Sequence, residues 1–98
     1  MSKLIFITGS SRGIGLAIAR EFVKQGDKVI LNGHTDQAQL DAAKQELSTE
    51  GFLADMSDYS QAEAVFKKIQ TSYGSIDVLV NNAGIAHFGL FSDMMPED

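Results

Sequence analysis

A chain of 98 residues, 44% of them hydrophobic, is long enough for one domain with its own core and is typical of a globular protein. Its net charge of −5 argues against nucleic acid or an anionic membrane as a partner, because both bind a basic face. It has no cysteine, which excludes disulfides and thiolate metal sites, and the apolar run at 4–7 is too short for a signal peptide or membrane span. We therefore expect a cytoplasmic protein.

The first part of the chain predicts a strand, a helix and a second strand. Residues 3–8 form a short β-branched run that is typical of a buried strand. A helix is predicted from residue 13, and Gly26 fits the left-handed position after its last turn. Its apolar face is predicted from three residues at helical spacing: Ile14, Ile18 and Phe22. Residues 28–32 predict the second strand.

Two more helices alternate with two more strands. Each helix is predicted from a capping box, in which an aspartate precedes a glutamine by three residues: Asp36 with Gln39, and Asp58 with Gln61. Gly51 is predicted to end the first of these helices, and residues 73–74 the second. Strands are predicted over 52–54 and 76–80.

The resulting order, βαβαβαβ, indicates an α/β protein. Strands separated by helices imply right-handed crossovers and a parallel sheet with helices on both faces. The fourth strand is almost uninterrupted in apolar character, as expected of a strand buried on both faces. We predict a doubly wound parallel sheet.

The turn between the first strand and the first helix has the spacing Thr8-Gly9-x-x-x-Gly13-x-Gly15. In such sheets, ligands bind beyond the carboxyl ends of the strands, and a helix N-terminus suits a phosphate. Glycine leaves room for a tight turn and a close ligand, and Arg12 adds a cation. A glycine-rich turn without a ligand is the alternative.

A second motif, Asn-Asn-Ala-Gly at 81–84, follows the fourth strand. With the glycine turn it resembles the short-chain dehydrogenase/reductase family, over the whole chain, and most of all the β-ketoacyl-acyl-carrier-protein reductases of its classical subgroup. The resemblance implies a Rossmann-type sheet, here a partial fold of four strands in the order 3-2-1-4. It also implies hydride transfer between a nicotinamide dinucleotide and a carbonyl or alcohol.

The same resemblance implies a set of cofactor-binding residues. Those around the pyrophosphate and adenosine would be Gly9, Ser11, Arg12, Gly13, Ile14 and Gly15. Asp55 and Met56 match the pair beside the adenine ring, where the Asp55 carboxylate would accept from the exocyclic amine. The ribose side of the cleft would be lined by Asn82, Ala83 and Gly84. Asn81 belongs to the same motif, and a structural interpretation is the alternative to a role in the site: its amide would tie neighbouring strands together.

The end of the second strand bears on the choice between NADP and NAD. NAD-binding proteins hold the ribose 2′-hydroxyl with an acid at this point, and that acid repels a 2′-phosphate. Gly33 stands where the acid would align, while Arg12 and His34 match positions of cations or hydroxyl donors in NADP-binding members. The sequence favours NADP, with NAD as the alternative. His34 is equally compatible with a solvated loop histidine.

No catalytic residue and no metal ligand is assigned. The family's catalytic Tyr is followed four residues later by Lys, whereas Tyr59 and Tyr73 precede acids at that spacing. Tyr73 and His87 are interpreted as structural. We therefore expect residues 1–98 to be the N-terminal part of a single dinucleotide-binding domain, truncated after the fourth strand. The alternatives are a non-catalytic dinucleotide-binding module and an oligomerising remnant.

Self-association is predicted from two apolar features. The strand at 76–80 would form a sheet edge without its next neighbour, and such an edge can pair with another chain. The residues after it add apolar surface: Phe88, Leu90, Phe91, Met94 and Met95. We expect copies of the chain to associate through this edge and tail.

Overall fold

The structure, a computed structural model, describes residues 2–83. Its elements in chain order are β1 Leu4–Ile7, α1 Gly13–Lys24, β2 Lys28–Gly33, α2 Gln37–Leu47, β3 Glu50–Leu53, α3 Tyr59–Tyr73 and β4 Val78–Val80. The predictions for Gly84, His87 and the apolar tail lie outside the described residues.

The four strands form one parallel sheet in the order β3-β2-β1-β4. β1 lies between β2 and β4, with Ile5 paired to Val29 on one side and to Val78 on the other. The predicted strand order is confirmed. Because all strands run the same way, the loops that follow them meet at one edge of the sheet.

The core has two layers, one on each face of the sheet. α3 covers one face, where Phe6 of β1 meets Phe66 edge to face with 5.7 Å between ring centroids. α1 and α2 cover the other, where Ile7 and Leu31 pack with Leu40. β1 is buried along its whole length, as its uninterrupted apolar sequence requires. The predicted doubly wound arrangement is confirmed. No helix within residues 2–83 is long and apolar enough to span a membrane.

The end of α2 differs from the prediction. The helix ends at Leu47, and Ser48 takes the left-handed conformation with φ 51°. Gly51 lies inside β3, paired with Leu31, so the prediction that it ends the helix is wrong. A Cβ on Gly51 would lie 3.0 Å from both Leu31 Cβ and Leu40 Cδ1. Glycine at this position lets β3 lie close to α2.

The face that α1 turns to the sheet also differs from the prediction. Its buried residues are Gly15 and Ala19, and Ile18 and Phe22 pack partly against the core. Ile14 is 74% exposed, so its predicted place on the apolar face is wrong. Small residues four apart bring the helix close to the sheet, and Ile14, one position before Gly15, therefore points away from it.

The two capping boxes form only in part. Asp36 accepts from the backbone N–H of Gln39 at 3.0 Å, as predicted, but the Gln39 side chain accepts from the Ser11 hydroxyl at 3.3 Å. Asp58 accepts from Ser60 instead, and the Gln61 side chain accepts from the backbone N–H of Asp55 at 2.8 Å. Both glutamines thus join their helices to the loops that follow β1 and β3.

Candidate functional site

A cavity of about 760 Å³ opens at the carboxyl edge of the sheet, between the turn after β1 and the loop after β2. Its walls come from the glycine turn, from the start of α2 and from the segment after β4. The lining residues are Gly9, Ser11, Arg12, Gly13, Ile14, His34, Thr35, Asp36, Gln39 and Asn82.

The glycine turn depends on three glycines for two different reasons. Gly9 and Gly13 have φ of 62° and 61°, a region that other residues rarely adopt. Gly15 has ordinary helical geometry, but a Cβ there would overlap the carbonyl oxygen of Gly9. The spacing of the motif therefore reflects two left-handed residues and one close contact between backbone segments.

Neighbouring strand ends hold the turn in place. Gly9 donates its N–H to Asn32 Oδ1 at 2.9 Å, and its carbonyl accepts from Asn82 Nδ2 at 3.0 Å. The Thr8 hydroxyl accepts from the backbone N–H of Ala83 at 3.0 Å and donates to Asn81 Oδ1 at 3.5 Å. Asn81 thus makes the tie between neighbouring strands that the sequence left as an alternative. The turn is bonded to β2 on one side and to the end of β4 on the other.

The mouth of the cavity presents a row of backbone donors. Leu16 is the first residue of α1 to donate a backbone bond, to Arg12 O at 3.2 Å. The N–H groups of residues 11–15 find no acceptor among the residues that the structure describes. No acidic residue stands in the first turn of α1, and Arg12, at its N-cap, makes no side-chain capping bond. The positive end of the helix and an arginine therefore face one opening, which favours an anion.

The wall formed by the loop after β2 has charges of both signs. His34 lines the cavity with its side chain 68% exposed, and its Nε2 lies 3.7 Å from Asp55 Oδ2. Asp36 also lines it, although one of its oxygens is occupied by the start of α2. Among residues 2–83, no group of three or more acidic or histidine side chains could hold a metal ion.

Asp55 and Met56 lie beside the cavity rather than in its lining. Asp55 Oδ1 accepts from the Ser57 hydroxyl at 2.6 Å and from the Ser57 N–H at 3.0 Å. These bonds from Ser57, together with the weaker attraction of His34, lower the pKa of the Asp55 carboxyl below its usual value. The Met56 side chain is buried in the core layer under α3. Of this pair, only Asp55 has a side chain near the cavity wall.

Two of the remaining predicted site residues, Gly15 and Ala83, lie next to the cavity lining. Gly15 is buried behind the turn, and Ala83 lies close to Gly9, next to Asn82. Gly84 is outside the described residues. Sequence reasoning did not assign three lining residues of the α2 start, namely Thr35, Asp36 and Gln39. The signal for them was the predicted cap at Asp36, because a helix that starts just after a strand has its N-terminus at the same edge.

The two tyrosines lie at opposite ends of α3. Tyr73 is at the amino edge of the sheet, where the Lys28 ammonium lies 5.4 Å from the ring centre, and burial followed by the charge of Glu50 raises the pKa of the Tyr73 hydroxyl. This edge is opposite the glycine turn. The position agrees with the interpretation of Tyr73 as structural.

The sequence matches the family model described as short chain dehydrogenase over residues 3–98. The chain belongs to this family. Its membership confirms the resemblance carried by the two motifs, and the glycine turn and the segment after β4 occupy one edge of the fold in the structure.

Curated short chain dehydrogenases similar to this chain include enzymes with different names. A D-beta-hydroxybutyrate dehydrogenase of Cupriavidus necator is 40% identical over 97% of the chain, and a 3-oxoacyl-[acyl-carrier-protein] reductase of Staphylococcus aureus is 33% identical over all of it. The chain spans 38% and 42% of the length of these two relatives.

Solved structures are similar as well. The NADPH dependent reductase YwfH, involved in bacilysin biosynthesis, has a TM-score of 0.80 at 28% identity over 86% of this chain and 38% of its own. The aldohexose dehydrogenase of Thermoplasma acidophilum has a TM-score of 0.71 at 40% identity over 86% of this chain and 30% of its own.

Proposed function

We propose that residues 1–98 are the N-terminal part of a single dinucleotide-binding domain in a short-chain oxidoreductase. The whole protein would transfer hydride between a nicotinamide dinucleotide and a carbonyl or alcohol, with the catalytic side chains supplied by residues beyond 98. The observation that carries the proposal is the row of N–H groups at residues 11–14 that have no acceptor among residues 2–83 and lie at the mouth of a large cavity, which Arg12 also lines. Such donors at a helix N-terminus bind pyrophosphate.

Within this proposal each part of the site has a role. The turn from Gly9 to Gly15 holds the pyrophosphate, and Asn82, Ala83 and Gly84 line the ribose side. Asp55 lies beside the adenine. Ser57 donates to its Oδ1, and its Oδ2, which lies 3.7 Å from His34 Nε2, is the oxygen that would accept from the exocyclic amine. Met56 contributes only its backbone here, since its side chain is buried in the core.

NADP is proposed as the preferred dinucleotide, with NAD as the weaker ligand. Three features support a 2′-phosphate: Arg12 makes no ion pair with any described residue, His34 lines the same cavity, and Gly33 supplies no carboxylate. The Asp36 carboxylate acts against it, but that carboxylate accepts from Gln39 at the start of α2. Because His34 Nε2 also lies 3.7 Å from the Asp55 carboxylate, the proposed preference depends mainly on Arg12 and on the absence of an acid at Gly33.

A titration of the chain with NADP⁺ and with NAD⁺ tests both proposals. Amide spectra should shift at residues 11–15 with either ligand, and NADP⁺ should bind roughly tenfold more tightly, which corresponds to about 1.4 kcal/mol. The paired ligands 2′,5′-ADP and 5′-ADP separate the 2′-phosphate from the nicotinamide half. Tighter binding of NAD⁺ would reverse the preference, and no binding at millimolar concentration would refute the dinucleotide site.

We also propose that the chain self-associates through the outer edge of β4. Within residues 2–83, β4 pairs only with β1, and its three apolar residues, Val78 to Val80, are half-buried. An apolar edge strand with one side free offers its backbone to a second copy. Sedimentation velocity should detect dimers at high micromolar concentration, and a clean monomer at that concentration would refute the proposal.

A further inference from the structure

Asn32, at the carboxyl end of β2, is a buried polar residue behind the glycine turn. It is 2% exposed, and it does not line the cavity. Its Oδ1 accepts from the Gly9 N–H at 2.9 Å. Its Nδ2 lies 3.2 Å from three backbone carbonyl oxygens, those of Gly33, Phe52 and Ala54. One side chain therefore joins the turn after β1 to the ends of β2 and β3.

The Asn32 backbone bonds to the same turn. Ser10 donates its N–H to Asn32 O at 2.8 Å, and Asn32 donates its own N–H to Ser10 Oγ at 2.9 Å. The Ser10 hydroxyl in turn donates to Ile7 O at 2.7 Å. The N–H groups of Gly9 and Ser10 are thus both occupied by Asn32. The donors that remain for a ligand start at residue 11.

We propose that Asn32 is a positioning residue for the anion site, acting through Gly9. It fixes the plane of the peptide at the start of the turn, and so sets the direction of the N–H groups at 11–15, which have no acceptor within residues 2–83. This inference rests on the proposed function, because it concerns how that site is shaped. The choice of asparagine follows from the contacts: one oxygen must accept while the nitrogen on the same group donates to carbonyls.

Other side chains of similar size cannot make this set of bonds. Leucine in place of Asn32 would take the acceptor from the part-buried Gly9 N–H and the amide donor from the carbonyls of Phe52 and Ala54, while the Gly33 carbonyl keeps the N–H of Ala54. Aspartate would place a carboxylate against those carbonyls and bring a negative charge toward a site that binds an anion. One substitution at residue 32 therefore removes the contact with Gly9, and the exchange rate of the Gly9 amide reports its loss.

The test compares Asn32→Leu with Ile30→Val, a core substitution on the same strand whose side chain packs in the layer under α3. NADP⁺ affinity is measured by titration at a temperature where every variant is folded, and amide exchange is measured at Gly9. We expect Asn32→Leu to weaken NADP⁺ binding about tenfold and to accelerate exchange at Gly9. Ile30→Val should lower the melting temperature without changing the affinity.

The outcomes separate the two proposals. If the unmodified chain does not bind NADP⁺, the proposed function fails and this inference fails with it. If the unmodified chain binds and Asn32→Leu binds equally well, only the positioning role is overturned. Should Asn32→Leu not fold, Asn32→Thr carries the comparison, since its shorter side chain also loses the carbonyl contacts. Exchange at Gly9 as fast as at Gly13 in the unmodified chain would overturn the inference without any variant.

Discussion

Gly15 lies directly against the carbonyl oxygen of Gly9, so that a Cβ on Gly15 would overlap this oxygen. The same Cβ would lie 2.8 Å from Asn82 Nδ2, which donates to the Gly9 carbonyl at 3.0 Å. Three segments of chain therefore meet at one point: the end of β1, the first turn of α1 and the residues after β4. The third glycine of the motif is required by this contact, and its own backbone angles are those of a helix.

Gly15→Ala should therefore displace the turn and destabilise the fold. The methyl group overlaps a backbone carbonyl, so the movement of a side chain cannot make room for it. We expect a loss of about 3 kcal/mol in the free energy of unfolding and a loss of at least about tenfold in dinucleotide affinity. Urea unfolding and NADP⁺ titration measure the two effects.

Gly26→Ala is the matched control for this prediction. Gly26 has φ 90° after the last turn of α1, and nothing lies within 4 Å of a Cβ placed there. Alanine should cost about 1 kcal/mol through backbone strain and leave the affinity unchanged, because Gly26 is remote from the cavity lining. Equal affinity losses for the two variants would contradict a specific role for the Gly9 contact.

The sheet and the turn could be predicted from the sequence because both depend on local signals. Each strand is a short apolar run, each helix has its own periodicity, and the glycine spacing reports local backbone geometry. The order 3-2-1-4 came from the family resemblance and is confirmed. Parallel strands then place the turn and the segment after β4 at the same edge, where the structure has them.

The composition of the cavity wall was harder to predict, because it depends on packing between distant segments. Ile14 reads as a core residue by its spacing, yet the close approach of α1 at Gly15 turns it outward into the lining. Gln39 reads as a capping residue, yet its side chain bonds to Ser11. Asn32 belongs to no sequence motif, and its proposed positioning role depends on contacts with the turn after β1 and with β3.

Arg12→Met should weaken NADP⁺ binding about tenfold, since a charge-assisted bond to phosphate contributes roughly 1.5–3 kcal/mol. The loss for NAD⁺ should be smaller if the guanidinium contacts the 2′-phosphate. Arg12 makes no ion pair with any residue in 2–83, so the free energy of unfolding should change by less than about 0.5 kcal/mol. Calorimetric titration with both ligands measures the ratio.

Arg20→Met provides the matched arginine control. Arg20 lies on α1 outside the cavity lining and pairs with Glu46 through bonds of 2.6 and 3.1 Å. Its replacement should leave both dinucleotide affinities unchanged. An equal loss for the two arginine variants would indicate a general effect of charge and would contradict a phosphate contact at Arg12.

Gly33→Asp should shift the preference toward NAD⁺. A Cβ on Gly33 would lie 3.5 Å from Ser11 Cβ, at the edge of the cavity, so the new carboxylate would stand near the expected ribose and repel a 2′-phosphate. The same Cβ would lie 3.1 Å from Leu40 Cβ, so we also expect a stability loss of about 1–2 kcal/mol. The ratio of NADP⁺ to NAD⁺ affinity should fall by roughly tenfold or more.

Gly33→Asn separates charge from crowding in that experiment. The amide has nearly the shape of the carboxyl group, so its contacts with Leu40 and Ser11 should be similar, while its charge is zero. We expect Gly33→Asn to lower stability to a similar degree and to keep the preference for NADP⁺. The same affinity ratio for both variants would show that no 2′-phosphate lies near residue 33.

The pH dependence of stability should include a contribution from Asp55. Bonds from the Ser57 hydroxyl and N–H, with a smaller contribution from His34, lower the pKa of the Asp55 carboxyl in the folded chain below the ordinary value of 3.8. A group with a depressed folded pKa stabilises the fold above its unfolded pKa, and that stability is lost as the pH falls through the folded pKa. Urea unfolding at a series of pH values, from neutral to below the ordinary pKa of 3.8, should show the free energy of unfolding fall at the acid end.

Ser57→Ala tests the cause of this dependence. The substitution removes the hydroxyl that donates to Asp55 Oδ1 but keeps the backbone N–H. The pKa of the Asp55 carboxyl, followed by its carboxyl carbon resonance, should rise toward the ordinary value, and the acid-dependent loss of stability should become smaller. Because the hydroxyl bond is the largest cause of the depressed pKa, an unchanged pKa in Ser57→Ala would contradict this assignment and would leave His34 and the backbone N–H as the main partners.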